Sequence, residues 1–146
     1  MMKRVISIAT ALLFAAIYPI AARGQTYKLT VNINGLHSDN GKVMVILFNH
    51  DDGYPVDPDK AVNKTSINIV NEKCTAVFDS LPKGEYAVAC FHDENNNGKL
   101  DKNFLGMPSE GVGASNNAKG FLGPPKFKDA KFVVETNTTQ NISIAY

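Results

Sequence analysis

Short segments of alternating apolar and polar residues, separated by turn residues, run through most of the chain. Residues 27–33 (YKLTVNI) alternate in this way, which predicts a first strand with one buried face. Residues 42–49 (KVMVILFN) are apolar at nearly every position, which predicts a central strand covered on both faces. Further strands are predicted at residues 65–70, 73–78, 85–91, 128–135 and 140–146.

Seven short strands without helical periodicity predict an all-β domain, a seven-stranded immunoglobulin-like or prealbumin-like β-sandwich. A small closed barrel is the alternative. The segment 93–125 lacks a strand pattern, and loops of this length are uncommon in compact domains unless they are functional or disordered. Its apolar residues predict one long ordered loop that packs onto the sandwich. These residues are Phe104, Leu105, Met107, Phe121 and Leu122.

The N-terminal residues have the features of an export signal. A basic start, Lys3-Arg4, precedes an apolar run over 5–20, and Ala22-Arg23-Gly24 places small residues at a cleavage position. Residues 1–24 are therefore predicted to be a signal peptide, cleaved after Gly24 or after Ala22, and residues 25–146 to be a single domain. An uncleaved anchor is the alternative, although the run is shorter than the roughly 20 residues of a spanning helix. No transmembrane span is predicted in the mature chain.

Removal of residues 1–24 changes the net charge. The whole chain carries a formal charge of +1, but this segment contains three basic residues and no acid. Residues 25–146 therefore have 12 basic and 14 acidic residues, a formal charge of −2, and all of the basic residues are Lys. Arg is the usual ligand of phosphate groups and guanine edges, so this composition argues against nucleic-acid binding.

The turn Leu81-Pro82-Lys83-Gly84 and two cysteines mark the middle of the chain. Tyr86 follows the turn, where its hydroxyl is expected to bond to nearby backbone. If the chain reverses at Pro82, Cys74 and Cys90 lie level with each other, and an exported protein meets oxidising conditions. The spacing therefore favours a disulfide between Cys74 and Cys90. Two reduced, buried thiols are the alternative.

Residues 93–101 (DENNNGKLD) match the first part of a calcium-binding loop. The predicted oxygen donors are the side chains of Asp93, Asn95, Asn97 and Asp101 and the backbone carbonyl of Lys99. Gly98 lies at the sharp turn. The residue at the twelfth position, where the pattern has a bidentate Glu, is Phe104, so further ligands must come from Glu94, Glu110, backbone carbonyls or water. A metal-free turn is the alternative, because Asn side chains and Asn-Gly pairs also stabilise tight turns.

His50 and His92 each follow a predicted strand and precede acidic residues. If the strands alternate in direction, the two histidines lie at opposite ends of the sandwich, so both are predicted to be surface or capping residues rather than one site. No nucleophile–base pair or complete ligand set is recognisable, so no catalytic residue is assigned and a non-enzymatic protein is predicted. The alternative is a metal-dependent hydrolase that uses Asp93, Asp101 or His92.

Three stretches of the chain resemble an exported bacterial family known only as domain of unknown function 2141. They are VMVILFNHDDGYPVDPDKA at 43–61, the Leu81-Pro82-x-Gly84-x-Tyr86 corner, and the long run from 92 to 132. The resemblance covers nearly the whole mature chain. It implies a sandwich fold and a periplasmic or outer-surface location in a Gram-negative bacterium. It supplies no catalytic residues, since the family has no established activity.

The expected function is therefore a binding or structural module of the cell envelope, with an envelope ligand or protein as its partner. Its predicted ligand surface consists of Phe104, Met107, Phe121 and Phe127. The alternative is that these four residues only cover one edge or end of the sandwich.

Overall fold

The computed structural model describes residues 24–146, so the predicted signal peptide lies outside the described residues except for Gly24. The described residues form eight strands, one short α-helix and two 3₁₀ helices, Pro58–Lys60 and Ser115–Asn117. In chain order the strands and the α-helix are β1 Thr26–Asn34, β2 Lys42–Phe48, β3 Asn63–Asn68, β4 Cys74–Pro82, β5 Gly84–Asp93, β6 Val112–Ala114, α1 Phe127–Ala130, β7 Phe132–Val134 and β8 Thr138–Ser143. Nowhere in this part of the chain is a helix long and apolar enough to cross a membrane.

The strands form two sheets. One has three strands in the order β4-β1-β8, with β1 antiparallel to β4 and parallel to β8. The other has five strands in the order β3-β2-β5-β6, and β7 pairs with the start of β5. In the antiparallel β2–β5 ladder Lys42 lies opposite Asp93 and Phe48 opposite Ala87. His50 and His92 therefore lie at opposite ends of this sheet, as the strand directions predicted.

One apolar cluster contains side chains from both sheets. Leu29, Val31 and Ile33 of β1 belong to it, which confirms the alternation predicted for the first strand. From β2 it takes the alternate residues Val43, Val45 and Leu47, none of them exposed. Because successive side chains of a strand point to opposite faces, the remaining apolar residues of β2 lie on the other face of the five-stranded sheet.

That other face carries a second apolar cluster, here called the outer cluster. Its buried members are Ile46, Phe48, Ala89 and Phe91. Tyr54, Leu100 and Phe127 pack over it, so three separate loop segments cover this face. The Tyr54 ring meets the rings of Phe48 and Phe127 edge to face, with centroid distances of 5.3 and 5.7 Å. This coverage explains why β2 is apolar on both faces, as predicted.

The prediction of seven strands is wrong, because the described residues form eight. The additional strand, β6, has only three residues and lies in a glycine-rich stretch, too short for alternation to be recognised. The predicted strand 128–135 is also partly wrong: α1 occupies its start, and β7 covers only Phe132–Val134. The long segment 93–125 contains β6, and the five apolar residues predicted to pack it onto the sandwich are exposed instead, so that part of the prediction is wrong.

The chain passes from one sheet to the other between β4 and β5. The Tyr86 hydroxyl donates a hydrogen bond to the Pro82 carbonyl at 3.0 Å, which confirms the predicted corner. The hairpin register assumed about Pro82 is wrong, because β4 pairs with β1 whereas β5 pairs with β2. The disulfide predicted from that register is not formed in the structure, where Cys74 and Cys90 are both free and buried.

We expect both thiols to react slowly in the folded protein. Burial raises the pKa of Cys74 to about 11, and burial together with the neighbouring Cys74 also raises the pKa of Cys90. Little of the reactive thiolate is then present at neutral pH. A chromogenic thiol reagent should detect no fast-reacting thiol in the native protein and two after unfolding without reductant. Absence of thiols in the unfolded, unreduced protein would show that the disulfide forms instead.

Candidate functional site

The loop after β5 closes around the carboxylate of Asp93. Asp93 is the last residue of β5 and is only 3% exposed. Its Oδ1 accepts the N–H of Asn97 at 3.0 Å, and its Oδ2 accepts the N–H of Gly98 at 2.8 Å. Gly98 has a φ of 74°, a left-handed conformation that glycine adopts with least strain. The Asp93 side chain therefore fixes the turn at 97–98.

The carboxylate of Asp101 completes the same loop. The Asn95 amide donates to Asp101 Oδ2 at 2.6 Å, and the Asn97 amide donates to both Asp101 oxygens at 3.0 and 3.2 Å. The side-chain oxygen Oδ1 of Asn97 in turn accepts the backbone N–H of Lys99 at 2.8 Å. The structure thus brings together the four side chains that the loop pattern selects.

Glu110 adds a carboxylate from outside the loop. It is 7% exposed, and its two oxygens accept the N–H groups of Glu94 at 3.1 Å and of Asp101 at 3.0 Å. Glu110 therefore joins the two ends of the loop. Phe104, at the position where the pattern has a bidentate Glu, is 95% exposed instead.

The sequence offered Glu110 only as one of several spare oxygen donors. Its position follows from the short ladder between β5 and β6, in which Phe91 lies opposite Val112. This ladder brings the residues before β6 alongside the end of β5. The pairing of β6 with β5 therefore determines the position of Glu110. The sequence pattern did not reveal β6, so this position was not predicted.

Asp93, Asp101 and Glu110 all bond to this loop, and none of them pairs with a basic side chain of the described residues. None of the ion pairs formed within residues 24–146 involves these three carboxylates. Backbone N–H groups compensate the charges of Asp93 and Glu110 in part, since hydrogen bonds to a carboxylate are among the stronger ones. The loop nevertheless concentrates negative charge at two buried positions.

The side chains of this loop offer oxygen donors, which calcium prefers, whereas zinc is usually held by Cys and His. No group of three or more His, Cys, Asp and Glu side chains in the described part of the chain is placed to hold a metal ion. Calcium draws on six to eight oxygens, including amide and backbone carbonyls and water. A carboxylate oxygen that accepts one hydrogen bond also keeps a further lone pair. Asn95 and Asn97 would have to turn their amide oxygens towards the ion.

His92, next to this loop, is fully buried, so of its two predicted roles, surface or capping residue, the surface role is wrong. Its Nε2 lies 2.7 Å from the Asn40 carbonyl oxygen and its Nδ1 lies 2.7 Å from the Tyr146 hydroxyl. Because a carbonyl only accepts, Nε2 donates to Asn40, and in the neutral ring Nδ1 accepts from Tyr146. Both ring nitrogens are therefore occupied. His50 is exposed, as predicted.

A comparison with protein-family models identifies the family of the chain. The model for an uncharacterised protein conserved in bacteria, DUF2141, matches residues 31–143. The chain belongs to the DUF2141 family. The matched region includes the loop 93–101 and Glu110. No curated protein and no solved structure shows a significant match to this DUF2141 protein.

The four residues of the predicted ligand surface do not share one environment in this DUF2141 protein. Phe104 and Phe121 are 95% and 96% exposed, and Met107 is also exposed. Phe127 instead packs against the outer cluster. Phe127 therefore covers a face of the five-stranded sheet, not the edge or end of the alternative prediction, whereas the other three side chains are exposed.

Proposed function

We propose that this DUF2141 protein is a non-enzymatic binding or structural module of the cell envelope. It is exported to the periplasm or outer surface of a Gram-negative bacterium, and its two sheets form an immunoglobulin-like or prealbumin-like β-sandwich. The core cluster shared by both sheets supports the sandwich. The basic start and apolar run of residues 1–24 support export. The loop 93–101 is stabilised by calcium.

The attachment of three carboxylates, Asp93, Asp101 and Glu110, to one loop without a basic partner among the described residues is the observation that supports calcium binding. Buried carboxylates are rare in proteins unless a counter-charge accompanies them. A divalent cation supplies that charge, and the amide groups of Asn95 and Asn97 already lie beside Asp101. Calcium binding would therefore relieve electrostatic repulsion within a loop that is already folded.

The role of this loop is to position the segment that follows it. Glu110 links the loop to the residues before β6, so both ends of the stretch 102–109 are fixed. Ser109 donates its N–H to the Asp101 carbonyl at 2.9 Å and closes the same stretch. Phe104 and Met107 lie within it and point into solvent. The calcium loop is thus the support of a surface that binds an envelope component.

The arrangement of His92 counts against a hydrolase that uses this histidine. A general base or a metal ligand needs a free ring nitrogen near an accessible substrate. His92 is fully buried, and its two ring nitrogens bond to Asn40 and Tyr146. The function that the geometry favours is therefore binding.

Calcium is expected to bind with a dissociation constant of about 10⁻⁴ to 10⁻³ M, the range of extracellular calcium modules. At about tenfold excess over this value, binding stabilises the folded state by about 1.4 kcal/mol and raises Tm by about 5 °C. Isothermal calorimetry and thermal melts in calcium and in chelator measure both quantities. No heat and no change in Tm at millimolar calcium would contradict the proposal.

A matched pair of variants tests the site itself. Asp101→Asn removes one charge from the loop and is expected to weaken calcium binding about tenfold or more. Asp129→Asn removes the same charge from an exposed residue that lies outside the loop. It should leave the calcium response unchanged. An equal loss in both variants would indicate general charge screening rather than a site.

A further inference from the structure

Two copies of one short motif follow the loop. The first motif is residues 102–108 (KNFLGMP) and the second motif is residues 119–125 (KGFLGPP). They share Lys, Phe, Leu, Gly and Pro at five of seven positions. Such a repetition within 24 residues indicates that the same surface element is used twice.

Each motif is folded into a tight turn. In the first motif Lys102 and Pro108 form a bridge, and Asn103 donates its N–H to the Met107 carbonyl at 2.8 Å. In the second motif Gly120 lies so close to the Gly123 carbonyl oxygen that a Cβ would be 1.9 Å from it. In each turn the Phe-Leu pair lies at the tip, farthest from the two ends of the motif. The backbone of each turn therefore places its Phe-Leu pair away from the sheets.

The displayed side chains are almost fully exposed. Phe104 is 95% exposed, Phe121 96% and Leu122 93%, while Leu105 is 68% exposed. Large apolar side chains grouped on a surface indicate an interaction site more often than scattered single ones do. Neither pair contributes to the core of the described residues.

Each motif adjoins a side chain that packs on the outer face of the five-stranded sheet. Leu100 precedes the first motif by two residues, and Phe127 follows the second motif by two residues. Both of these side chains pack against the outer cluster. The first motif is therefore anchored on this face near the end of β5, and the second is anchored on it through Phe127, which contacts Tyr54.

The same segment concentrates positive charge. Residues 102–128 contain four lysines, all exposed, and one acid, Glu110, which is buried. The rest of residues 25–146 has eight lysines and thirteen acids. The surface around the second Phe-Leu pair is therefore basic, with Lys119, Lys126 and Lys128 beside one acid, Asp129, although the domain as a whole is acidic.

We propose that the two motifs dock the protein on an anionic lipid surface. Phe104, Leu105, Phe121 and Leu122 enter the boundary between headgroups and acyl chains. The lysines stay at the level of the anionic headgroups, where both charge and position are favourable. This inference rests on the proposed function, because it names the envelope component that the surface after the calcium loop binds.

The shape of the surface favours a lipid over a protein partner. A protein interface buries a contiguous apolar patch of high shape complementarity within a polar rim. Here the apolar side chains protrude from two separate turns, and each Phe-Leu pair has a lysine two residues before it. Protruding apolar side chains next to lysines are typical of segments that lie in a membrane interface.

Sedimentation with lipid vesicles tests this inference. The protein used is the form that the expressing cells export. Vesicles of equal parts phosphatidylcholine and phosphatidylglycerol should bind it, and vesicles of phosphatidylcholine alone should bind it at least about tenfold more weakly. Phe121→Ser should weaken binding about tenfold and Phe104→Ser with Phe121→Ser about a hundredfold. Lys119→Gln should weaken it about fivefold. Because all variants share the same N-terminal residues, differences in vesicle binding among them reflect the motifs and not the N-terminus.

The matched control is Val70→Ser, which removes an exposed apolar side chain from the turn between β3 and β4. It should leave vesicle binding unchanged, and the Phe→Ser variants should keep the wild-type Tm because their side chains contact little. Equal binding by the wild type and the double Phe variant would overturn the proposal. The proposal would also be overturned if the protein self-associates without vesicles and Phe121→Ser abolishes this association. That result would show that the motifs bind a second copy of the chain.

The two proposals fail in different ways. If calcium raises Tm but the anionic vesicles bind nothing, the lipid inference is wrong and the calcium loop stands. If the vesicles bind equally in calcium and in chelator while calcium changes neither heat nor Tm, the motifs dock without a calcium loop. Loss of lipid binding in Asp101→Asn, restored by high calcium, would connect the two.

Discussion

Replacement of Gly41 by alanine is expected to lower the free energy of unfolding by about 2–5 kcal/mol. Gly41 has a φ of 69°, which costs a residue with a side chain roughly 1–2 kcal/mol. A Cβ at this position would also lie 2.0 Å from the Asp93 carbonyl oxygen and 2.7 Å from the Glu94 Cα, both of them backbone atoms. Urea denaturation of wild type and variant, compared by midpoint and slope, measures the loss.

Gly106→Ala is the matched control for this prediction. Gly106 also has a positive φ, of 77°, but a Cβ there meets no atom within 4 Å. Only the conformational cost of about 1–2 kcal/mol is expected. If both variants lose the same stability, the contact between the turn before β2 and the end of β5 is not what restricts position 41.

The expected loss has a consequence for the candidate site. The turn at 39–41 packs against the backbone of Asp93, whose carboxylate fixes the loop, and Asn40 accepts the hydrogen bond from His92. A shift at Gly41 therefore moves the first ligand of the proposed calcium site. Gly41→Ala is expected to weaken calcium binding as well as to lower the free energy of unfolding. Gly106→Ala should leave calcium binding unchanged and lower the free energy of unfolding only by its conformational cost.

Local sequence patterns predicted the features that depend on neighbouring residues. The alternation in β1 and the two apolar faces of β2 follow directly from the two-residue period of a strand. The bond from Tyr86 to Pro82 spans four residues and was also predictable. The loop at 93–101 belongs to the same group, because its side chains lie within nine residues of one another.

Features that depend on distant pairings could not be predicted in this way. β1 pairs in parallel with β8, so Leu29 lies opposite Thr138, and nothing near either strand indicates this partner. The register assumed for Cys74 and Cys90 failed for a related reason. Two consecutive strands joined by a short turn can form a hairpin or can enter different sheets, and only the tertiary packing distinguishes these outcomes.

The candidate site likewise contains residues that local sequence predicted and residues that depend on distant pairings. Asp93 and Asp101 were found by their spacing, whereas Glu110 reaches them through the β5–β6 ladder. The burial of His92 was not predicted because its partner Tyr146 lies 54 residues away. The paired motifs that carry the lipid proposal could have been found by comparing the segment with itself, since their repetition is visible in the sequence.

Ser115 is a buried residue that no sequence motif indicates. It is not exposed at all, and it follows β6 directly. Its Oγ accepts the N–H of Val88 at 2.9 Å and donates to the Ala130 carbonyl at 2.6 Å. One hydroxyl therefore links β5 to the end of α1. Phe127, two residues after the second motif, lies on this helix and packs on the outer cluster.

Ser115→Ala is expected to lower the free energy of unfolding by about 2–4 kcal/mol. The variant leaves the N–H of Val88 and the carbonyl of Ala130 without this partner in a buried place, and each such group costs roughly 1–3 kcal/mol. Urea denaturation measures the loss, and Ser109→Ala, at an exposed serine, should change stability by less than about 0.5 kcal/mol.

The position of the lost bond also predicts where the protein loosens first. Amide hydrogen exchange in Ser115→Ala should increase in α1 and the second motif more than in the first motif, because Glu110 and not Ser115 fixes the latter. Lipid binding by the second motif should weaken with it, while the calcium response of the loop should persist. A uniform increase in exchange, or a stability loss no larger than that of Ser109→Ala, would show that the hydroxyl does not connect β5 to α1 energetically.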